Sequence, residues 1–176
     1  MMIRRCDADD FEDIYAVCND GASAYRGVIA ADRWQQPYMP RVELRHEIDH
    51  GVTFFGAFDS DGLAGVMGLQ EVGDVTLIRH TYVRTNRQRG GIGGALLRHL
   101  QALTNRPTLV GTWKAATWAI VFYQRHGFHL IDGPEREALL RMYWRIPERQ
   151  IEESVVLRAT HTRSSPDLHP DPTRDV

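Results

Sequence analysis

The stretch HEIDH at residues 46–50 has the residue types and spacing of a zinc-protease site. Two histidines four residues apart lie on one face of a helix, and a glutamate beside the first can act as general base. Against this, Asp49 is charged, Gly51 ends the helix at once, and Gly56 stands where extended zinc motifs have a third histidine. We therefore interpret HEIDH as a solvated helix end and expect no metal, with a zinc hydrolase as a distant alternative.

A glycine-rich loop, QRGGIGG at residues 88–94, is the second stretch that could carry chemistry. It follows a predicted strand and opens a predicted helix, where free backbone N–H groups and the helix dipole attract anions. No Gly-Lys-Ser/Thr follows, which excludes a P-loop, and Leu96 replaces the third glycine of a dinucleotide fingerprint. The loop predicts a pyrophosphate cradle with positive charge from Arg84, Arg87 and Arg89, and a plain glycine-rich turn is the alternative.

Hydrophobic periodicity predicts the elements that must position these residues. Apolar and β-branched runs predict seven strands, at residues 2–6, 52–58, 63–72, 75–83, 108–113, 128–131 and 153–157. Helical spacing predicts helices at residues 7–27, 28–51 (broken by Pro37 and Pro40), 92–105, 116–127 and 134–144. This order predicts a mixed α/β fold of the α+β layer type. Its central sheet is mostly antiparallel with one parallel βαβ crossover, and helices cover both faces.

Length and composition favour one ordinary globular domain, since the chain has 176 residues, 43% of them hydrophobic and 25% charged. We expect this domain at residues 1–160 and a disordered tail at residues 161–176, which are rich in proline and aspartate.

No apolar run approaches the roughly 18 residues of a membrane span, and the start lacks the apolar stretch of a secretory signal. Cys6 and Cys18 show no disulfide spacing, which favours reduced thiols in a cytoplasmic protein.

Charge is unevenly distributed along the chain. Residues 1–74 carry 14 acidic residues and 6 arginines, whereas residues 75–176 carry 9 acidic and 15 basic residues. An acidic half beside a basic half suits a protein that handles one cationic and one anionic partner. The net charge of −2 and the dispersed arginines argue against a nucleic-acid partner, and no membrane partner is expected.

On these residues the chain resembles the GNAT superfamily of acyl-CoA-dependent N-acetyltransferases. The loop of that family has the form Gln/Arg-x-x-Gly-x-Gly/Ala, and residues 88–93 fit every fixed position. A second family pattern, AxxAxxFYxxxGF, matches residues 116–128, although Ala116 stands where the family often has asparagine. The resemblance covers residues 1 to about 158, with the predicted helix at 134–144 as an insertion.

The resemblance implies an acetyl-CoA site in which the loop holds the pyrophosphate and the preceding strand pairs with the pantetheine arm. That strand is expected to part from the next one and to offer its backbone from about Thr81 to Val83. The implied cofactor-binding residues are Tyr82, Val83, Gln88, Arg89, Gly90, Gly91, Ile92, Gly93, Gly94 and Ala119.

Catalysis is expected to involve two side chains. Tyr123 matches the tyrosine that reaches the sulfur in the family, and a phenol, no stronger an acid than a thiol, would stabilise the leaving thiolate. His80 is the candidate base, since strand alternation places it on the face of Ile78 and Tyr82. Glu71 and Asp74 are alternative bases.

The amine side is expected in the proline-broken segment, where Tyr25, Trp34 and Tyr38 would bind the substrate, with core packing as the alternative.

The implied function is transfer of an acetyl group from acetyl-CoA to a primary amine by direct attack on the thioester. A non-catalytic acyl-CoA-binding sensor of the same fold is the alternative. The expected partner is a small-molecule or peptide amine, and the resemblance is also compatible with a homodimer.

Overall fold

Seven strands form one sheet in the computed structural model, which describes residues 1–144 and 146–160. In chain order they are β1 (Met2–Arg5), β2 (Thr53–Asp59), β3 (Gly62–Val72), β4 (Val75–Val83), β5 (Thr108–Trp113), β6 (Phe128–Ile131) and β7 (Ser154–Ala159). Their spatial order is β1-β2-β3-β4-β5-β7-β6, and β4–β5 is the parallel pair among antiparallel neighbours. The predicted fold class is confirmed, and the predicted tail at 161–176 lies outside the described residues.

Six α-helices accompany the sheet in the described part of the chain. They are α1 (Phe11–Gly21), α2 (Arg41–Asp49), α3 (Ile92–Gln101), α4 (Thr117–Arg125), α5 (Gly133–Tyr143) and α6 (Glu148–Glu152). Within the described residues, none of them is both long enough and apolar enough to cross a membrane.

The predicted helical region at 28–51 is wrong in its first half. Only α2 is α-helical there, and a single 3-10 turn at Ala31–Arg33 interrupts an otherwise irregular segment before it. Pro37 and Pro40 explain the difference, because proline removes a helical donor and pushes the preceding residue out of the α region. The short helix α6, which begins after Pro147, is an element that the periodicity did not predict.

Two apolar clusters place helices on opposite faces of the sheet. On one face, Ile14 and Val17 of α1 and Leu44 of α2 are buried together with Phe54 and Tyr82 of the sheet. On the other face, α3 and α4 cover a cluster that contains Met67, Ile78 and Tyr123; its helical stripe is Ile92, Leu96, Leu97 and Leu100. The helix α5 covers the far end of the sheet through Leu140. This packing fixes the loop before α3 at the carboxyl end of β4.

Candidate active site

The parallel pair of strands parts in the middle of the sheet. β4 pairs with β5 from Thr76 to Ile78, opposite Thr108 to Val110, although both strands continue beyond this point. In the described residues, the β5-facing backbone groups of Arg79–Val83 therefore have no strand partner. A cavity of about 1000 Å³ lies at this gap and is lined by both strands. The sequence-based expectation of a splayed β4 is confirmed.

The glycine loop closes one end of this cavity. Gly91 is the N-cap of α3 and adopts a left-handed conformation with φ of +79°, which a side chain would strain. A Cβ added there would meet no atom within 4 Å, so the loop surface is open. The first backbone N–H groups of α3 have no carbonyl partner within the helix, and they lie at the positive end of its dipole. The loop therefore has the geometry of an anion site.

Arginines surround the loop end of the cavity. Arg89, Arg98 and Arg125 all line it, and none of the three forms an ion pair with another described residue. Arg87 also lines the cavity, but two carboxylates offset its charge. Asp59 Oδ2 lies 3.3 Å from Arg87 Nε, and Asp61 is the second partner. The positive field at this end thus comes mainly from α3, α4 and Arg89.

A β-bulge in β4 redirects His80. Arg79 is opposite Gly68 and Tyr82 is opposite Val66, so β4 carries an extra residue in this register. His80 itself has φ of +50°, a rare conformation for a residue with a side chain. The predicted alternation is therefore wrong, because His80 shares the α2 face with Tyr82 while Ile78 packs on the α3 face.

On the α2 face, His80 contacts the HEIDH segment. Its Nε2 lies 2.9 Å from Glu47 Oε2, and Arg79 Nη1 lies 3.0 Å from the same oxygen. The side chain of Glu47 is only 15% exposed, so the interpretation of this segment as a solvated helix end is wrong for Glu47. It holds for His46, Asp49 and His50, which are exposed. No group of three side chains suited to a metal gathers within residues 1–144 and 146–160.

On the α3 face, Tyr123 reaches the free stretch of β4. Its hydroxyl donates a hydrogen bond to Thr81 Oγ1 at 2.9 Å, and its side chain is buried. Burial raises the pKa of Tyr123 to about 12, and the shift is limited because the Thr81 hydroxyl can donate to the phenolate form. The phenol is therefore a proton-bearing donor at neutral pH.

Aromatic rings form the opposite end of the cavity. Tyr25 and Tyr38 stack with ring centroids 5.6 Å apart, and Trp118 lies 5.6 Å from Tyr25. Trp113 Nε1 donates to the Tyr38 hydroxyl at 3.0 Å, which fixes this ring against β5. Burial raises the pKa of both tyrosines, so their hydroxyls stay neutral. Trp34 packs on Tyr38, with ring centroids 5.5 Å apart.

The structure brings most of the predicted site residues into this one cavity. Those that line it are Tyr25, Tyr38, His80, Tyr82, Val83, Gln88, Arg89, Gly91, Ile92, Gly93, Gly94, Ala119 and Tyr123. Gly90 and Trp34 are not among its lining residues. Their individual roles remain predictions. The alternative bases Glu71 and Asp74 also lie outside the lining.

Sequence reasoning missed several residues of the site. Arg98, Arg125 and Trp118 line the cavity, and Glu47 contacts it through His80. Thr81 was expected to contribute its backbone, but its side-chain bond to Tyr123 was not predicted. Arg98 and Arg125 lie on the two helices that flank the loop, so their position on predicted helices was an available signal. The link between Glu47 and His80 joins residues 33 positions apart, and no local pattern reveals it.

Comparison with known families gives this cavity a context. A family model described as the acetyltransferase (GNAT) domain matches residues 19–142. The chain belongs to the GNAT acetyltransferase family. The match spans the glycine loop and Tyr123, and the resemblance that these motifs indicated is confirmed. Among curated proteins, none matches this sequence.

Solved structures of GNAT proteins share the fold. The PaiA N-acetyltransferase from Thermoplasma acidophilum, in complex with coenzyme A, is 17% identical with a TM-score of 0.70, over 91% of this chain and 98% of that one. A GNAT acetyltransferase from Staphylococcus aureus is 17% identical with a TM-score of 0.65, over 90% and 97%. Ribosomal-protein-alanine N-acetyltransferase from Brucella melitensis is 15% identical with a TM-score of 0.61, over 92% and 100%. At these identities the likeness concerns the fold.

Proposed function

We propose that this chain is an N-acetyltransferase that moves an acetyl group from acetyl-CoA to a primary amine. The observation that carries the proposal is one cavity that connects the glycine loop, the parted strands and the aromatic end. Such a cavity can hold an extended acyl donor and an amine at the same time. The solved Thermoplasma relative with bound coenzyme A supports the choice of donor.

The residues present fit an acyl-CoA. The open backbone at Gly91 and the free N–H groups of α3 suit a pyrophosphate, and Arg98 and Arg125 add charge for its phosphates. Between Arg79 and Val83, the backbone groups that face β5 have no strand partner, and they can hydrogen-bond an amide-bearing arm as an additional strand would. When bound, acetyl-CoA would supply a thioester as the acyl donor.

The amine must lose a proton before it can attack. A lysine-like amine has a pKa near 10.4, so roughly one molecule in a thousand is neutral at pH 7. We assign proton removal to His80, which lines the cavity and is the side-chain type that titrates near neutrality. In the overall transfer His80 takes one proton from the ammonium, a C–N bond forms, the C–S bond breaks, and the sulfur leaves as a thiolate. The second proton of the nitrogen leaves to solvent as the amide forms.

Tyr123 is assigned to the leaving sulfur. Its phenol keeps its proton at neutral pH because burial raises its pKa to about 12. A group this weakly acidic stabilises a thiolate by donating a hydrogen bond rather than by giving up the proton in a separate step. Its bond to Thr81 places this donor beside the free edge of β4.

The acceptor is proposed to be a small-molecule or peptide amine that enters at the aromatic end of the cavity. Tyr25, Tyr38 and Trp118 offer π faces, which attract an ammonium group. The acidic excess of residues 1–74 favours the approach of a cation as well.

We further propose a cytoplasmic location, which suits the two free cysteines Cys6 and Cys18.

A turnover assay tests the proposal. Purified protein is incubated with acetyl-CoA and a panel of amines (polyamines, aminoglycosides, arylalkylamines, and peptides with free N-termini or lysines), and released thiol is measured. Thermal unfolding with acetyl-CoA, ATP, NAD and zinc added separately gives a second readout. At about 100 times its Kd, a ligand of the folded state adds roughly 2.7 kcal/mol to the free energy of unfolding.

The two readouts separate the alternatives. Stabilisation by acetyl-CoA together with amine-dependent thiol release supports the acetyltransferase. Stabilisation without release from any amine would instead indicate the non-catalytic acyl-CoA-binding module. Stabilisation by zinc alone would contradict both.

A further inference from the structure

We propose that Glu47 of the HEIDH segment is a positioning residue that fixes the ring of His80 for proton abstraction. This inference rests on the proposed function, in which His80 is the base. It assigns a role to a helix segment outside both family motifs, and it gives the histidine a partner 33 residues away in the sequence.

Two contacts hold the imidazole in place, and Arg79 holds its carboxylate partner. Glu47 Oε2 lies 2.9 Å from His80 Nε2, and the two side chains are 15% and 14% exposed. Phe54 of β2 stacks on the ring, with centroids 5.8 Å apart and planes tilted by 28°. Arg79 Nη1 binds the same carboxylate oxygen at 3.0 Å and also donates to Gln70 Oε1 at 3.0 Å. The carboxylate is thus tied to β4 at two successive residues, which is possible because alternation turns Arg79 toward α2 and the bulge turns His80 to the same face.

The carboxylate decides which nitrogen of His80 carries a proton. Burial by itself raises the pKa of Glu47, but the hydrogen bond and charge of His80, together with Arg79, outweigh burial and lower the pKa overall. An ionised carboxylate can only accept hydrogen bonds, so Nε2 of His80 must be the protonated nitrogen. Nδ1 makes no hydrogen bond with any residue of the described chain and is left with its lone pair. Since Nε2 is occupied by Glu47, we assign Nδ1 as the atom of this cavity-lining residue that takes the proton of the amine.

Charge around the ring sets the direction of the pH effect. Ionised Glu47 stabilises the imidazolium that forms on proton uptake, while Arg79 opposes it. Removing the carboxylate charge takes away the contact partner of both Arg79 and His80, which disfavours the protonated form of the ring, and leaves Glu43 as the remaining carboxylate near the ring. The acid limb of the rate profile should therefore move to lower pH, and the base should become weaker. The titratable groups near the ring are Glu43 and Glu47 of α2 and Arg79 of β4, and His46 acts on the two glutamates, whereas β2 contributes the uncharged Phe54.

An NMR experiment tests the positioning without any turnover. Long-range ¹H–¹⁵N correlations of ¹⁵N-histidine-labelled full chain should show neutral His80 as the Nε2–H tautomer. In Glu47→Gln, whose side-chain oxygen can still accept, this tautomer should be retained, and in Glu47→Ala it should become a mixture. A wild-type His80 in the Nδ1–H form would overturn the proposal. If Glu47→Ala fails to fold, the wild-type tautomer and Glu47→Gln still decide the question.

Kinetics test the catalytic consequence. We expect His80→Gln to lose about 100-fold in kcat, and Glu47→Gln to lose about tenfold with an acid limb at lower pH. The Kd for acetyl-CoA should stay unchanged in both variants. Asp49→Asn, an exposed carboxylate of the same helix, is the matched control and should behave as wild type.

The outcomes separate the two proposals. An active wild type whose pH profile is unaltered in Glu47→Gln would overturn the role of Glu47 while the acetyltransferase stands. A wild type without turnover on any amine would overturn the proposed function, and the catalytic part of this inference with it.

Discussion

The hydroxyl of Tyr123 on α4 donates to Thr81 Oγ1 on β4 at 2.9 Å, inside the stretch of β4 that has left β5. This contact joins the helix of the second family motif to the free strand edge that follows the β-bulge. It holds a buried proton donor where the scissile thioester is proposed to lie. Thr81 accepts this hydrogen bond, so the buried hydroxyl is satisfied within the protein.

Replacing Tyr123 by phenylalanine should lower kcat and spare acetyl-CoA affinity. A hydrogen bond to a charged group contributes about 1.5–3 kcal/mol, so a roughly 10- to 100-fold loss of kcat is expected. Steady-state kinetics and calorimetric titration measure the two quantities. Tyr143→Phe, which removes a surface hydroxyl bonded to Asp74, is the control and should keep full activity. An equal loss in both variants would contradict the role of Tyr123.

The elevated pKa of Tyr123 leads to a pH prediction. A phenol with a pKa of about 12 stays protonated across the accessible pH range, so the donor is not lost as pH rises. The ratio of kcat between wild type and Tyr123→Phe should therefore be constant from about pH 7 to about pH 10. Parallel pH–rate profiles check this. A ratio that falls toward one as the pH approaches about 10 would mean that the phenol ionises there and has an ordinary acidity.

A substitution in the glycine loop should distinguish backbone strain from loss of acetyl-CoA binding. Gly91→Ala should cost about 1–2 kcal/mol of stability, because φ of +79° is unfavourable for a residue with a Cβ. It should also weaken acetyl-CoA binding, since the new methyl occupies the open face of the loop. Gly51→Ala is the matched control, with φ of +97° and open space around it, at the end of α2. Urea unfolding should show similar losses in both variants, and acetyl-CoA titration should show a loss in Gly91→Ala alone.

The arginines at the loop end of the cavity predict that the affinity for CoA depends on the charge of its phosphates. Arg125→Ala should weaken binding of CoA by roughly fivefold, equivalent to about 1 kcal/mol, and the loss should shrink at high salt. Arg141→Ala, an exposed arginine paired with Glu148, should leave the affinity unchanged. Titrations at two ionic strengths measure the effect. Equal affinities for wild type and Arg125→Ala at low salt would remove this residue from the site.

The loop and the position of Tyr123 could be predicted from sequence because their signals are local. Residues 88–94 carry the glycines that their backbone requires, and Tyr123 lies in a motif that also forms the helix around it. The seven strands were predictable for the same reason, since β-branched runs and turn residues mark each one. The parting of β4 and β5 followed from the family resemblance, and strand patterning alone did not predict it.

His80 and Glu47 show what local patterns cannot supply. The predicted alternation assumes an uninterrupted strand. The extra residue at His80 breaks this alternation, so Ile78 and Tyr82 face opposite sides of the sheet. Nothing in the apolar pattern of β4 marks a bulge, because both faces of the strand are buried. Glu47 lay within a stretch whose charge suggested exposure, and only the packing of α2 on β4 buries its carboxylate.

The aromatic end of the cavity gives a final prediction, on the amine. Tyr25 lines the cavity, whereas Trp34 packs on the stacked pair without lining it. Each aromatic contact contributes about 0.5–1.5 kcal/mol, so Tyr25→Ala and Trp34→Ala should both lower stability. Only Tyr25→Ala should raise the KM of the amine, by roughly tenfold, because it removes a π face from the proposed binding surface. Kinetics with the amine varied at saturating acetyl-CoA measure this, and a comparable rise in Trp34→Ala would show that the stack acts as one structural unit.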